Sequence, residues 1–163
     1  MNHVTAVDNE LQTSLIGVAG LYLSGADTSV SIQNSIIANP TPTQGPYAGE
    51  CYIGQYNANT ITLNIDAFSI TEDSSCGANR VGDPGVLELA DNGGPTFTHA
   101  LASNSFAVNT GDPSTCLATD QRGEQRDSQC DVGAFELTAA DASNQTTTFI
   151  IPLPNGKSVI FDL

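Results

Sequence analysis

Apolar and polar residues alternate in short runs through the first half of the chain. Leu21 and Leu23 flank a tyrosine, and Val30 and Ile32 alternate with serine. Such runs, bounded by Gly, Asp, Asn and Pro, predict β-strands, because successive side chains of a strand point to opposite faces. The stretch lacks the i, i+3, i+4 spacing that an amphipathic helix needs. We therefore expect strands here, with a bend at Asn34.

The same pattern predicts further strands at 52–56, 60–65, 68–70 and 86–89, with a proline-rich loop at 40–50 and a bend at Asn39. Strand runs recur at intervals of roughly 8–12 residues, and no helix is predicted between them. This spacing fits a sandwich, a barrel or a parallel β-helix about equally well. The pattern therefore predicts an all-β fold without choosing among these architectures.

The stretch 91–137 differs, because it has almost no periodic apolar run and is rich in acidic residues. We predict that it forms an irregular, cross-linked cap that closes the β-rich body. Residues 138–148 are interpreted as a linker. Two apolar strands at 149–153 and 158–163 then flank an Asn-Gly pair, which is a strong hairpin signal.

The four cysteines are Cys51, Cys76, Cys116 and Cys130. They allow three pairings, and the one that closes two local loops, Cys51–Cys76 and Cys116–Cys130, costs the chain least to organise. A loop of about 15 residues stabilises by roughly 3 kcal/mol in the chain-entropy model. The alternatives are free thiols or a zinc site. No Cys-x-x-Cys pair exists and the two histidines are far from the cysteines, so disulfides are favoured, and with them export to an oxidising compartment.

The net charge is −14, from eighteen acidic and four basic residues. A surface of this charge repels nucleic acid and anionic lipid, so nucleic-acid binding is excluded. No signal peptide is visible, and no run reaches the roughly 18 apolar residues of a membrane span. We expect the chain to be a fragment of a longer exported protein.

Four motifs stand in a fixed order in the second half: DNGGPT at 91–96, THAL at 98–101, TDQRG at 119–123 and CDVGAFE at 130–136. In this order they resemble the carboxy-terminal signature of bacterial surface β-helix proteins of the choice-of-anchor Q class. The upstream stretch 20–40 is similar to one coil of such a protein.

The resemblance implies a right-handed parallel β-helix with few coils at 1–90, an irregular disulfide-linked cap at 91–137, and a linker and terminal β-hairpin at 138–163, together forming one structural unit. Stacked strands of such a fold lie about 4.8 Å apart. A solenoid leaves an unpaired edge and an apolar end, and the cap and hairpin would protect them. The protein would be extracellular or located at the bacterial cell surface.

The cap contains residues whose chemistry attracts a functional interpretation. Asp120 and Arg122 resemble a substrate clamp and His99 a general base, but no nucleophile accompanies them. With so few basic residues, each arginine is expected to pair with an acid. We therefore assign structural roles in the cap to Asp91, His99, Asp120, Arg122, Arg126 and Asp131.

No catalytic residue and no metal site are assigned. Bound Ca²⁺ remains an alternative, since several cap acids could supply oxygen ligands, although no EF-hand loop is present. The acids are Asp91, Asp112, Asp120, Asp127, Asp131 and Glu136.

We expect a non-catalytic terminal module whose partner is a surface polysaccharide or another protein. One alternative is part of a polysaccharide lyase or hydrolase, for which the body candidates are Asp66, Glu72, Asp73 and Arg80. The other is a calcium-dependent adhesion domain that self-associates through the terminal hairpin.

Overall fold

The computed structural model describes residues 1–7, 9, 18–24, 27–38, 49–54, 60–145, 148–152 and 158–162. In these residues the chain is mostly strand with little helix. The elements are β1 Thr5–Val7, β2 Val18–Ser24, β3 Thr28–Ile32, β4 Ile36–Ala38, β5 Gly49–Gly54, β6 Ile61–Ile65, β7 Ile70–Thr71, β8 Arg80–Val81, β9 Val86–Ala90, β10 Thr98–Leu101, α1 Ala139–Asn144, β11 Thr148–Pro152 and β12 Ser158–Asp162.

The first eight strands form three parallel sheets. One has the order β1-β4-β7-β8, the second pairs β2 with β5, and the third pairs β3 with β6. Strands β1, β2, β3 and β4 therefore each pair with the strand three elements further along the chain. The pairing is in register in the third sheet, where Val30 lies beside Leu63 and Ile32 beside Ile65. Like side chains are thus stacked on like side chains from one circuit of the chain to the next.

Strand β4 of the four-stranded sheet is buried on both faces, which explains its continuous apolar run. Ile36 and Ala38 point to one face and Ile37 to the other, as strand geometry requires. Ile37 packs in an inner core, which contains Ile32, Ile37, Cys51 and Cys76. The opposite face packs in a lateral core, which contains Val7, Ile36, Ala38, Ile70, Ala100, Leu101, Ala107, Val132 and Phe135.

Residues 91–137 lie on the outward face of the four-stranded sheet, and we call them the lateral layer. Their backbone meets β1, where Ala134 N donates to Thr5 Oγ1 at 2.8 Å, and the turn before β4, where Gly133 N donates to Asn34 O at 2.8 Å. At the far strand, Arg80 donates to Phe106 O at 2.6 Å. The segment that we predicted to close the end of the body therefore crosses one flank of it, from β1 to β8.

The lateral layer is also less irregular than predicted. Residues 98–101 form β10, which pairs antiparallel with β9 and brings His99 beside Leu89. Four residues are too few for a clear alternation of apolar and polar positions, so the sequence did not reveal this strand. Its backbone hydrogen bonds are made with β9. A strand at 5–7 was likewise missed, because it gains its stability from the lateral layer and from β4.

The interpretation of 138–148 as a linker is wrong for 139–144, which form α1. Thr138 is its N-cap, and a reciprocal capping box joins the Thr138 and Asp141 side chains and backbone N–H groups. The terminal strands β11 and β12 pair antiparallel, with Ile150 beside Ile160. Their predicted turn at 153–157, most of the loop at 40–50 and the bend at Asn39 lie outside the described residues.

Two disulfides join Cys51 to Cys76 and Cys116 to Cys130, the pairing that closes two local loops. The first lies in the inner core and ties β5 to the segment after β7. The second lies within the lateral layer. In the part of the chain described, no helix has the length and apolar character needed to cross a membrane.

Candidate functional site

A buried network of charged side chains in the lateral layer is built around Arg122, whose side chain is 5% exposed. Its guanidinium donates to Asp120 Oδ2 at 2.9 Å and pairs with Asp141 Oδ1 at 3.1 Å. It also stacks on the Phe135 ring, 3.6 Å from the centroid, and donates to Glu136 O at 2.6 Å. Burial lowers the pKa of Arg122, but its hydrogen bonds to both carboxylates outweigh burial, so the pKa lies above its ordinary value.

A second buried pair joins Arg126 to Glu136 at 2.8 Å. Asp131 lies beside this pair, and its carboxylate accepts from Asn109 N at 2.7 Å and Leu137 N at 2.6 Å. Burial raises the pKa of Asp131 to about 6, although these backbone donors oppose the rise. Glu136 also accepts from the backbone N–H of Asp131 at 2.9 Å. These charged groups therefore hold irregular backbone in place through hydrogen bonds to its N–H groups.

The remaining predicted cap residues lie outside this network. His99 is half-buried on β10, and its Nδ1 donates to Leu87 O at 2.7 Å. Asp91 is exposed and accepts from Gly93 N at 3.1 Å within a turn. Of the six predicted cap residues, the structure thus brings Asp120, Arg122, Arg126 and Asp131 together.

The catalytic candidates in the body are engaged in backbone contacts. Asp66 accepts from Asn34 N at 3.0 Å and from Ser69 N at 2.7 Å. Asp73 accepts from the backbone N–H groups of Glu50 at 3.2 Å and Ser75 at 2.8 Å. Both carboxylates therefore join one circuit of the chain to the next.

Arg80 also has a structural role, since it donates to Phe68 O at 2.9 Å and to Phe106 O at 2.6 Å. Its guanidinium lies 5.2 Å from the centroid of the Phe106 ring. Glu72 lies elsewhere, at a cavity of about 340 Å³ whose lining also includes Asp83 and Glu88. Three carboxylate residues, Glu72, Asp83 and Glu88, therefore line one cavity together with apolar side chains.

The acids considered for Ca²⁺ do not converge. Among the described residues, the one group of three potential metal ligands within 4.8 Å of one another is His3, Cys116 and Cys130. It contains no carboxylate.

His3 is a residue that our sequence reasoning missed. It is 6% exposed, and its Nε2 lies 3.7 Å from Cys130 Sγ, so the expectation that both histidines are far from the cysteines is wrong for this one. Burial and the charge of Arg126 lower its pKa to about 4. Its φ of 52° lies in the left-handed region, which histidine enters more readily than most residues. No sequence signal links positions so far apart.

A second feature that was missed is a stacked pair of tyrosines on the second parallel sheet. Tyr22 of β2 lies beside Tyr52 of β5 in register, and their ring centroids are 5.5 Å apart at 19°. Tyr22 is 43% exposed. Gly54 leaves the space next to both rings open, because a β carbon there would lie 3.2 Å from the Tyr52 ring. The pair presents aromatic surface to solvent.

Comparison with known proteins found no matching family model, no similar curated protein and no similar solved structure.

Proposed function

We propose that this chain is a non-catalytic structural module of an exported, cell-surface right-handed parallel β-helix protein, and that it contacts glycans through its stacked tyrosine pair, Tyr22 and Tyr52. The parallel pairing of β1 with β4, β4 with β7, β2 with β5 and β3 with β6 supports the β-helix part of the proposal. The order of the four motifs in 91–136 supports the resemblance to the bacterial surface class.

The observation that carries the non-catalytic part is how the charged side chains are used. Asp120 accepts from three backbone N–H groups, those of Arg122, Glu124 and Glu136. Glu50, which is 3% exposed, accepts from Glu72 N at 2.8 Å. A general acid or base needs a carboxylate within reach of substrate. Carboxylates committed to buried backbone donors serve instead to hold the coils and the lateral layer together.

The location outside the cell is supported by the two disulfides, which persist in oxidising surroundings. The net charge of −14 favours solubility in a salty medium. An acidic surface also favours neutral over anionic glycans as partners, because a polyanion would be repelled.

The glycan contact is supported by the tyrosine pair, since aromatic faces with a hydroxyl at the rim suit a surface that is partly apolar and partly polar. We expect Tyr22→Ala and Tyr52→Ala to weaken binding to neutral polysaccharide about tenfold or more. Phe97→Ala is the matched control, because Phe97 is 60% exposed but belongs to the lateral layer. An array of neutral and acidic glycans tests this, and equal binding by all three variants would overturn the glycan contact.

Turnover assays test the non-catalytic part directly. We expect no cleavage of pectin, alginate, chondroitin or neutral glucans by the intact chain. Clear cleavage of any of them would overturn it.

The second candidate is a polysaccharide hydrolase, which the cavity lined by Glu72, Asp83 and Glu88 favours. Paired carboxylates across a groove are the usual machinery of glycoside hydrolysis. If turnover is detected, Glu88→Gln should abolish it, whereas Asp91→Asn, which changes an exposed acid in a turn outside the cavity lining, should not.

A further inference from the structure

The fold brings the segment before β1 against the disulfide of the lateral layer. His3 and Cys130 are buried there and Cys116 is half-buried, with their nitrogen and sulfur atoms all within 4.8 Å. The other disulfide, Cys51–Cys76, belongs to no such group among the described residues. One of the two cross-links therefore carries a neighbouring imidazole.

The hydrogen bonds of His3 fix which nitrogen faces the sulfur. Its Nδ1 lies 3.2 Å from Gly133 O, and a carbonyl oxygen only accepts, so Nδ1 carries the hydrogen. Nε2 is then the unprotonated nitrogen. It accepts from Asn34 Nδ2 at 3.4 Å and lies 3.7 Å from Cys130 Sγ. A backbone carbonyl that holds the far N–H is the arrangement that orients histidine as a metal ligand.

The spacing of these atoms matches a tetrahedral ion. With Zn–S and Zn–N bonds of about 2.3 and 2.05 Å, a sulfur and a nitrogen on one tetrahedron lie about 3.6 Å apart. Cys130 Sγ and His3 Nε2 are already 3.7 Å apart. Two thiolates on one zinc lie about 3.8 Å apart, so only the bonded sulfurs have to separate. The Cα atoms of the two cysteines, 6.1 Å apart, leave room for this rotation.

We propose that reduction of the Cys116–Cys130 disulfide opens a binding site for Zn²⁺ or a similar borderline-soft divalent cation, with His3 Nε2 and the two thiolates as ligands. The fourth position is left to solvent. Sulfur and imidazole nitrogen are the ligands that Zn²⁺ favours over Ca²⁺ and Mg²⁺. This proposal does not depend on the glycan contact.

The bound metal would replace the covalent cross-link and would also connect it to a third residue, His3. The disulfide joins two residues within the lateral layer, whereas the metal also attaches both to the segment before β1. The lateral layer is thereby held on the sheet under reducing conditions. Since Cys116 is half-buried, a reductant and a cation reach the site from its side.

The test uses the intact chain and a water-soluble phosphine. The phosphine gives two electrons to the S–S bond and leaves as phosphine oxide, taking its oxygen from water, and the two protons of that water end on the sulfurs. After the phosphine is removed, Co²⁺ is titrated as a spectroscopic probe, and its binding displaces both thiol protons to solvent. We expect one equivalent to bind, with the strong visible absorption of tetrahedral thiolate-ligated cobalt and a rise in the melting midpoint.

Matched variants separate a built site from stray thiols. His3→Asn keeps a residue that tolerates the left-handed backbone, and its fold is checked in the oxidised form. We expect it to bind Co²⁺ at least about tenfold more weakly once reduced. A double Cys51→Ser and Cys76→Ser variant should still bind one equivalent, whereas oxidised wild type should bind none.

Three outcomes would overturn the proposal. They are equal affinity of reduced wild type and His3→Asn, equal binding by the oxidised protein, and failure of the metal to restore the native near-ultraviolet spectrum of a reduced chain that has lost it. The last outcome keeps the test decisive if reduction unfolds the protein.

Discussion

Truncation of Phe135 tests whether the lateral layer is part of one core with the four-stranded sheet. The ring is 1% exposed and lies in the lateral core, with the Arg122 guanidinium 3.6 Å from its centroid. Removing a buried phenyl group costs about 3–5 kcal/mol, and the cation–π contact adds up to about 2 kcal/mol. Since such domains are stable by about 5–15 kcal/mol, Phe135→Ala removes a large share of the total.

The matched control is Phe106→Ala, because Phe106 also lies under an arginine but is 39% exposed and 5.2 Å from it. We expect this change to cost no more than about 1 kcal/mol. Urea unfolding followed by circular dichroism measures the free energy of unfolding of both variants. In thermal unfolding, the melting midpoint of Phe135→Ala should fall by about 10 °C. Equal, small losses in the two variants would refute the packing described here.

A double-mutant cycle locates the contact. Ile36 and Ile37 are adjacent in β4, yet Ile36 belongs to the lateral core and Ile37 to the inner core. We expect Phe135→Ala to couple with Ile36→Val by about 0.5 kcal/mol or more and with Ile37→Val by less. Stronger coupling with Ile37→Val than with Ile36→Val would contradict the position of the lateral layer on the Ile36 face of β4.

Further predictions concern pH, backbone packing and the helix cap. The pKa of His3 falls from 6.5 to about 4 in the folded state, so wild type should lose up to about 3 kcal/mol relative to His3→Asn as the pH falls through 6.5 toward 4. The pKa of Asp131 rises to about 6, so its contribution has the opposite sign: relative to Asp131→Asn, wild type should lose up to about 3 kcal/mol as the pH rises from 4 through 6. Urea titrations at a series of pH values measure both. Gly133→Ala should destabilise by about 2 kcal/mol or more, because φ is +97° and a β carbon would lie 2.6 Å from a side chain of β1. Thr138→Ala should cost about 0.5–2 kcal/mol and reduce the helical signal, because it removes the N-cap of α1.

Each of these predictions has a control or a contradicting result. Gly123→Ala shares a positive φ, +92°, but its β carbon meets nothing within 4 Å, so its loss measures backbone strain alone. If Gly133→Ala lost no more free energy of unfolding than Gly123→Ala, the close contact with β1 would not contribute to the loss. If the free energy of unfolding of wild type, His3→Asn and Asp131→Asn changed with pH in the same way, the assigned pKa shifts would be contradicted. An unchanged spectrum of Thr138→Ala would contradict the capping box.

Local chemistry made part of this fold predictable from the sequence. Period-2 alternation revealed β3 and β6, because each presents one face to the inner core. The bend at Asn34 is confirmed, since Asn34 has a φ of 43° between β3 and β4, a conformation that asparagine tolerates. The disulfide pairing could be predicted because the entropic cost of closing a loop is smaller for a shorter loop.

The parts that could not be predicted depend on contacts between distant positions. Strand periodicity says which residues share a face but not which element covers that face, so the lateral position of 91–137 was missed. The approach of His3 to Cys130 depends on the same placement. The short helix α1 was missed because its capping box uses aspartate at the position where glutamate or glutamine is usual.

Nuclear Overhauser contacts between backbone protons test the parallel pairing of the strands most directly. The structure predicts contacts between Val30 and Leu63, between Tyr22 and Tyr52, and between Ile36 and Ile70, each with the pattern of parallel neighbours. Short Hα–Hα contacts of antiparallel pairs at these positions, or the absence of any contact between them, would contradict it.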